Sequence, residues 1–435
     1  MIRFKFLGLI SIAVFIFFQT VVAQKQQQLI LVKDGLTALT DIMVFDITSP
    51  PVASRNYAYC LISFYEAVVA SDKKYKSYTA SLNGLTAPPQ VLVDQQYNFL
   101  LAGITAFYTT AHALVFSKDQ FEHLWIPITL KLNKIKISPS VHARSIEFGN
   151  KVAAHIIEWA KNDGFGKTRT LPRYTPGKQA GNWQPTGPDY MEAVEPYWSS
   201  LRKMINVKND TFLLPRPAPF KSAKFLTECK EVYDACNNIT PANAALTNFW
   251  DCNPFATQTV GHMMYSVKKL SPAGHWVGIA GIVVQQKNES LVAALYTYSL
   301  VSIAIFDAIV STWEEKYRSN YIRPITAIQQ LISPTWEPFL QTPPFPEYPS
   351  GHSVISYAAA TILTKIYGDD LNYVDDVEKP FGLPARSFSS FYKAAAEAAN
   401  SRLYGGIHFR ESIENGKILG EHIAHRTIEK LLVGK

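Results

Sequence analysis

The chain has 435 residues, 47% of them hydrophobic and 18% charged, a composition that supports a packed core and excludes a disordered chain. Its net charge of +7 is spread along the sequence without a basic block. That excludes a nucleic-acid tract of the usual kind and leaves only a mild attraction for small anions.

In chain order, residues 1–23 come first. Arg3 and Lys5 precede an uncharged run over 6–18, and Ala23 supplies the small residue that signal peptidase prefers. This is the three-part pattern of a secretory signal, with an apolar core short for a bilayer span. The expectation is cleavage after Ala23, export to the periplasm or beyond, and one folded unit over 24–435.

Helical periodicity dominates that unit. Helices are predicted at 53–70, 96–116, 140–161, 222–236, 289–315, 353–367, 388–403 and 412–432. Alternating strands are few and no solenoid repeat is present, so the expected fold class is all-α, built of helical bundles. Residues 163–219 differ, being rich in Gly, Pro, Trp and Tyr; they either pack by their aromatics or border a site. The Gly164–Thr168 stretch lacks the first glycine and the preceding strand of a phosphate loop. Residues 291–310 are apolar enough for a membrane span, but Thr297, Ser299, Ser302 and Asp307 fit a helix buried in a bundle better, so no stable span is expected. Four cysteines, Cys60, Cys229, Cys236 and Cys252, follow no zinc-site spacing. After export, a 229–236 or 236–252 disulfide is open to them, as is burial as free thiols.

Three stretches carry chemistry. In the first, Lys316 and Arg323 stand seven residues apart, so both heads can point to one side of a helix that Pro324 helps to end. In the second, Pro349-Ser350-Gly351-His352 meets the start of a helix. Unpaired N–H groups and the helix dipole attract anions there, and Gly351 allows close approach. Ser350 adds a donor, and His352 can move a proton near neutral pH. In the third, Arg402 precedes His408 across the Gly405-Gly406 pair. Taken alone, each stretch reads more readily as a solvated face, a helix cap or a structural turn. Together, three cations, a helix N-terminus and two histidines form a cage for a tetrahedral oxyanion. Without a carboxylate lining, it is unsuited to Mg²⁺, Ca²⁺ or a catalytic zinc in the usual way.

The three motifs resemble the signature shared by vanadium-dependent haloperoxidases and the type 2 phosphatidic-acid-phosphatase superfamily. The likeness to bacterial haloperoxidases extends through Ser49–Arg55, Phe249–Cys252 and Gly274–Trp276, with the catalytic motifs inside 313–412. The resemblance implies vanadate as cofactor, held by Lys316, Arg323, Ser350, Gly351 and Arg402. It implies His408 as the one protein bond to vanadium, or as nucleophile on phosphorus in a phosphatase. His352 would be the general acid/base, and Asp251 would orient Arg402. Hydrogen peroxide, halide and, where one is used, a small organic acceptor would be the partners, and hypohalous acid the product. Many relatives carry an acid four residues after the last histidine, where this chain has Ser412; Glu411 would point elsewhere on a helix. Trp313 resembles the haloperoxidase form of the first motif. Phe345 matches the aromatic of chloride- and iodide-type enzymes, where bromide-type enzymes have His. The reading is a haloperoxidase favouring iodide, then bromide, with chloride negligible. A vanadate-inhibited acid phosphatase is the alternative, and a non-catalytic oxyanion binder the minor one.

Overall fold

The computed structural model describes residues 2–206, 212–260 and 262–432, with side chains from 24 onward except those of 259 and 260. The side chains of the expected leader, 1–23, therefore lie outside the described residues. Among the described residues there are fourteen α-helices and two antiparallel two-stranded hairpins. In chain order the helices are α1 (Ile2–Phe45), α2 (Pro50–Val68), α3 (Phe99–Leu114), α4 (Lys118–Leu132), α5 (Pro139–Lys161), α6 (Phe165–Thr168) and α7 (Ala223–Asn237). They continue with α8 (Pro241–Phe249), α9 (Pro272–Gln286), α10 (Leu291–Ser319), α11 (Pro324–Leu331), α12 (Gly351–Tyr367), α13 (Phe391–Tyr404) and α14 (Arg410–Leu431). The hairpins pair Thr257–Val260 with Met263–Ser266, and Tyr373–Asp375 with Arg386–Phe388. The fold is all-α.

Serine caps start the helices that matter most. Ser49, followed by Pro50 and Pro51, accepts from the Val52 N–H; Ser290 caps α10 and Ser390 caps α13 in the same way. Each cap satisfies a donor the helix cannot, worth about 1 kcal/mol. The central element is α10. It packs on α2, α9, α12 and α14; α2 in turn carries α3 and α5, and α12 carries α13 and α14. The helix is long and apolar enough to cross a membrane, yet its apolar window is wholly buried in the protein. A helix apolar all round belongs in a core, where each large aliphatic contributes roughly 1.5–3 kcal/mol.

One polar group inside α10 ties down the irregular region. Buried Asp307 accepts the N–H groups of Met204 (2.6 Å) and Ile205 (2.8 Å). Within 163–219 the described residues pack by their aromatics, with Trp183 and Trp198 fully buried, and they also reach the motif helix. The Val194 carbonyl accepts from Trp313 Nε1 at 3.1 Å and from the Tyr317 hydroxyl at 2.8 Å.

Two expectations need correction, and the choice left open for the cysteines is resolved. Lys316 and Arg323 do not share a helix: α10 stops at Ser319 because Asn320 takes a left-handed conformation (φ 46°), and Arg323 is the N-cap of α11. Pro324 does not end α10; it opens α11, where its missing N–H costs nothing. All four cysteines are free and buried. Cys229 and Cys236 lie on the same helix, two turns and about 10 Å apart, beyond disulfide reach.

Candidate active site

The end of α10, the loop into α12 and the turn between α13 and α14 converge in the core. Lys316, Arg323, Glu347 and Ser350 are each 0% exposed, with Arg402 at 1% and His408 at 3%. Charges this deep need partners, and the backbone supplies most of them. Lys316 Nζ donates to the carbonyls of Pro346 (2.9 Å), Glu347 (2.9 Å) and Pro349 (2.6 Å). Its three N–H groups are therefore all engaged in holding the loop ahead of α12. Burial and the Arg323 charge push its pKa down, while three carbonyl acceptors favour the ammonium.

Arg323 donates from Nε to the Phe345 carbonyl (2.9 Å) and from Nη1 to the Ile407 carbonyl (2.9 Å). Its Nη2 is buried without a partner. Burial lowers its pKa to about 10, which leaves it cationic at neutral pH. Arg402 is held by the Ser401 hydroxyl (2.9 Å) and the Trp250 carbonyl (2.9 Å). Asp251 stands 4.0 Å from Arg402 Nη1 and pairs closely with Lys269. The main orienting contacts on Arg402 thus come from Trp250 and Ser401; Asp251 adds charge at longer range.

His408 is fixed at both ring nitrogens. Nδ1 lies 2.7 Å from Glu347 Oε1, and Nε2 lies 3.3 Å from Arg323 Nη1. Burial and the neighbouring Arg323, Lys316 and Arg402 charges hold its pKa well below the usual imidazole range, so it is neutral. Glu347, placed in no role by the sequence, occupies the position of a histidine-backing acid. The expected landmark, Ser412, has its buried Oγ without a hydrogen-bond partner; it stands beside Glu347 and lowers its pKa. Burial pushes the Glu347 carboxyl up to about 7 despite Arg323 and Lys316. Glu411 does point away, bonding the Ala218 N–H and Lys224.

At the start of α12, the Ser350 oxygen accepts from the Ser353 N–H (3.4 Å) and hydroxyl (3.0 Å), which leaves its own proton free to donate. A Cβ at Gly351 would meet nothing nearer than Lys316 Cε and Thr312 Cγ2, both at 4.0 Å, so space opens in front of that residue. His352 has a buried Nε2 without a partner, and burial and the Arg402 charge keep it neutral. A cavity of about 30 Å³ between these groups is lined by Trp313, Phe345, Gly351, His352, Cys252 and His408, among others. Trp313 packs on Phe345 with centroids 5.1 Å apart, and Lys316 and Arg323 each lie 5.1 Å from the Phe345 ring centre. The apolar wall is thus polarised by both cations.

A second buried cluster adjoins the cavity. His275 donates to Asp375 (2.8 Å) and faces Glu378 (3.0 Å), with Cys252 Sγ 3.5 Å away, and Trp250 stacks on its ring. Burial works against its charge, but Asp375, Cys252 and Glu378 together raise its pKa well above the usual value. An imidazolium between two carboxylates accounts for these groups. It anchors the Trp250–Cys252 turn, whose carbonyl orients Arg402.

The structure therefore brings together Lys316, Arg323, Ser350, Gly351, His352, Arg402 and His408, with Trp313 and Phe345 as one wall. The enclosed groups comprise fixed cations, free donors and two neutral histidines, an arrangement suited to binding an oxyanion and moving protons beside it.

A family model described as the VCPO second helical-bundle domain matches residues 296–433, a span that contains Lys316 through His408. The vanadium chloroperoxidase of Curvularia inaequalis is 23% identical over an alignment 345 positions long, which covers 61% of this chain and 56% of that protein. The chain thus matches only a little over half the length of that relative. Among solved structures, a bacterial vanadium-dependent iodoperoxidase is 40% identical with a TM-score of 0.86, covering 93% of this chain and 96% of that one. A holo-type bacterial vanadium-dependent chloroperoxidase, 18% identical, shares the fold at a TM-score of 0.66 over 88% of this chain and 93% of that one. With 40% identity across nearly the whole of both chains, this protein belongs to the vanadium-dependent haloperoxidase family.

Proposed function

We propose that the chain oxidises halide with hydrogen peroxide, iodide first, bromide more weakly and chloride negligibly, using vanadate held in the buried cage. The observation that carries this reading is the 40% identity to an iodoperoxidase over 93% of the chain. The residues present fit vanadate. Arg323 Nη2 and His352 Nε2 are buried without partners, and the space before Gly351 is open. Bound there, vanadate supplies Lewis acidity toward hydrogen peroxide without changing its oxidation state.

The protein's part follows from its donors. Arg323 Nη2, the free Ser350 proton and the Gly351 N–H, which has no partner within its helix, would hold the anion's oxygens. Lys316 contributes charge and fixes the loop, since its three donors are already engaged. Arg402 contributes charge that reaches both His352 and His408. The neutral His408 offers its Nε2 lone pair, and Arg323 Nη1 marks where that lone pair points. His352 accepts or returns a proton at Nε2. Burial and the Arg402 charge hold the His352 pKa down, and an anion in the cage would offset that charge and raise it. Phe345 and Trp313 present an apolar, polarised wall with no proton donor into the cavity.

The cage would take phosphate equally well, and a carboxylate-backed His408 would serve as a nucleophile toward phosphorus. Acid phosphatase is therefore the second reading. The test supplies vanadate-loaded enzyme with peroxide and each halide at mildly acidic pH, and separately gives the vanadate-free protein a phosphate monoester. Iodide turnover well above bromide, with little ester hydrolysis, is expected. Chloride turnover equal to iodide would remove the halide ranking, and ester hydrolysis without halide oxidation would replace the reading with the second.

A further inference from the structure

We infer that Glu347 is a positioning residue for His408, replacing from the loop before α12 the acid that many relatives carry on the helix after the final histidine. The inference rests on the reading that vanadate is bound through His408 Nε2. Glu347 is 0% exposed and sits 61 residues from His408 in sequence, yet its Oε1 lies 2.7 Å from Nδ1. The same Oε1 accepts the Phe409 N–H at 3.0 Å. An ionised carboxylate is acceptor-only, and Oε1 already accepts the Phe409 N–H. Against the ionised Glu347 carboxylate, Nδ1 carries the hydrogen and donates it to Oε1.

Two consequences follow. The tautomer is fixed with the lone pair on Nε2, the atom that faces Arg323 Nη1 at 3.3 Å. The ring is also locked in rotation, because the Glu347 carbonyl is itself gripped by Lys316 at 2.9 Å and the Phe409 N–H ties the acid to the residue after the histidine. A histidine whose far nitrogen donates to a carboxylate is a stronger and better-aimed ligand, and losing such a partner typically weakens metal binding about 10- to 100-fold. Ser412, with its hydroxyl buried and unpartnered, cannot replace the charge.

The positioning role predicts an effect on the vanadium–nitrogen bond and little effect on the cage. The test measures dissociation constants for orthovanadate and for inorganic phosphate on the same purified protein, with circular dichroism as a check of folding. Phosphate gains only from the cage, whereas vanadate also gains from His408. Glu347→Ala is expected to weaken vanadate by about 10- to 100-fold while phosphate changes by less than about threefold. Glu347→Gln, whose amide oxygen can still accept from Nδ1–H, should recover most of the vanadate affinity. Should Glu347→Ala fail to fold, Glu347→Asp decides, because its shortened side chain draws the acceptor away from Nδ1. A vanadate-to-phosphate affinity ratio at least about fivefold lower than wild type is then expected. A ratio unchanged in folded Glu347→Ala (or in Glu347→Asp, should Glu347→Ala not fold), or both anions weakened alike, overturns the inference. His408→Ala separates the two levels. If it leaves the ratio unchanged, the reading of His408 as ligand fails; if it collapses the ratio while Glu347→Ala does not, only the role of Glu347 fails.

Discussion

Lys316 has its three N–H groups engaged by carbonyls, Arg323 has one nitrogen free, and Arg402 is aimed by the Trp250 carbonyl. The three cations of the cage are thus not equivalent, although all contribute charge. Arg402→Ala should weaken orthovanadate and phosphate together by about 10- to 100-fold, since losing one charge-assisted partner costs about 1.5–3 kcal/mol. Competition between the two anions during reconstitution of the apo-protein measures it, and unchanged affinities would mean that Arg402 does not face the anion. At this scale the three motifs were legible because each is a short contiguous run whose chemistry is written in residue type. Glu347 was not, although it stands in the same stretch as Ser350 and His352. Its meaning depends on a contact with a residue 61 positions away, and no local pattern encodes that. Asp251 was legible as a nearby charge but not in its stronger pairing with Lys269.

The break between α10 and α11 shapes the site as much as any side chain. Asn320 turns the chain at φ 46°, its carbonyl accepts the Trp183 N–H at 2.7 Å, and Arg323 is delivered to the cage from a second helix. Asparagine tolerates this conformation and alanine does so poorly. Asn320→Ala should cost about 1 kcal/mol in a urea melt, and Asn320→Gly should be close to neutral. Equal destabilisation by both would mean that the side chain, not the backbone, sets the turn. Long apolar-periodic helices such as α2, α5 and α10 could be read from sequence. By contrast, α4, with Pro127 inside it, and the short α8 and α11 could not, because eight or nine residues carry too little periodicity.

Across the whole molecule, burial leaves several carboxyls far from their usual range. Glu66 on α2, Asp307 on α10 and Glu347 at the cage are each pushed up to about 7, with desolvation the largest cause. For Glu66 the folded pKa lies above the unfolded one, so between about 4.5 and about 7 only the native state holds the proton. Its contribution to stability is fully present below the unfolded pKa and is lost as pH rises through the folded value. Glu66 accepts the Tyr78 N–H at 2.7 Å through Oε1, and its Oε2 has no partner, so a neutral amide can replace it. Relative to wild type, Glu66→Gln should therefore gain about 2–3 kcal/mol between pH 5 and pH 8. Thermal melts at the two pH values check this, and a difference independent of pH would place the Glu66 pKa near its ordinary value.

In the proposed function, one vanadate held by the buried cage and His408 makes this chain an iodide-oxidising peroxidase. Apo-protein titrated with orthovanadate, with peroxide-dependent oxidation of iodide followed at each step, decides between the outcomes. Activity should rise to a plateau at one vanadate per chain, be suppressed by competing phosphate, and be absent from His408→Ala. Iodide oxidation that is indifferent to vanadate, or a fully loaded protein that leaves iodide untouched, would contradict it.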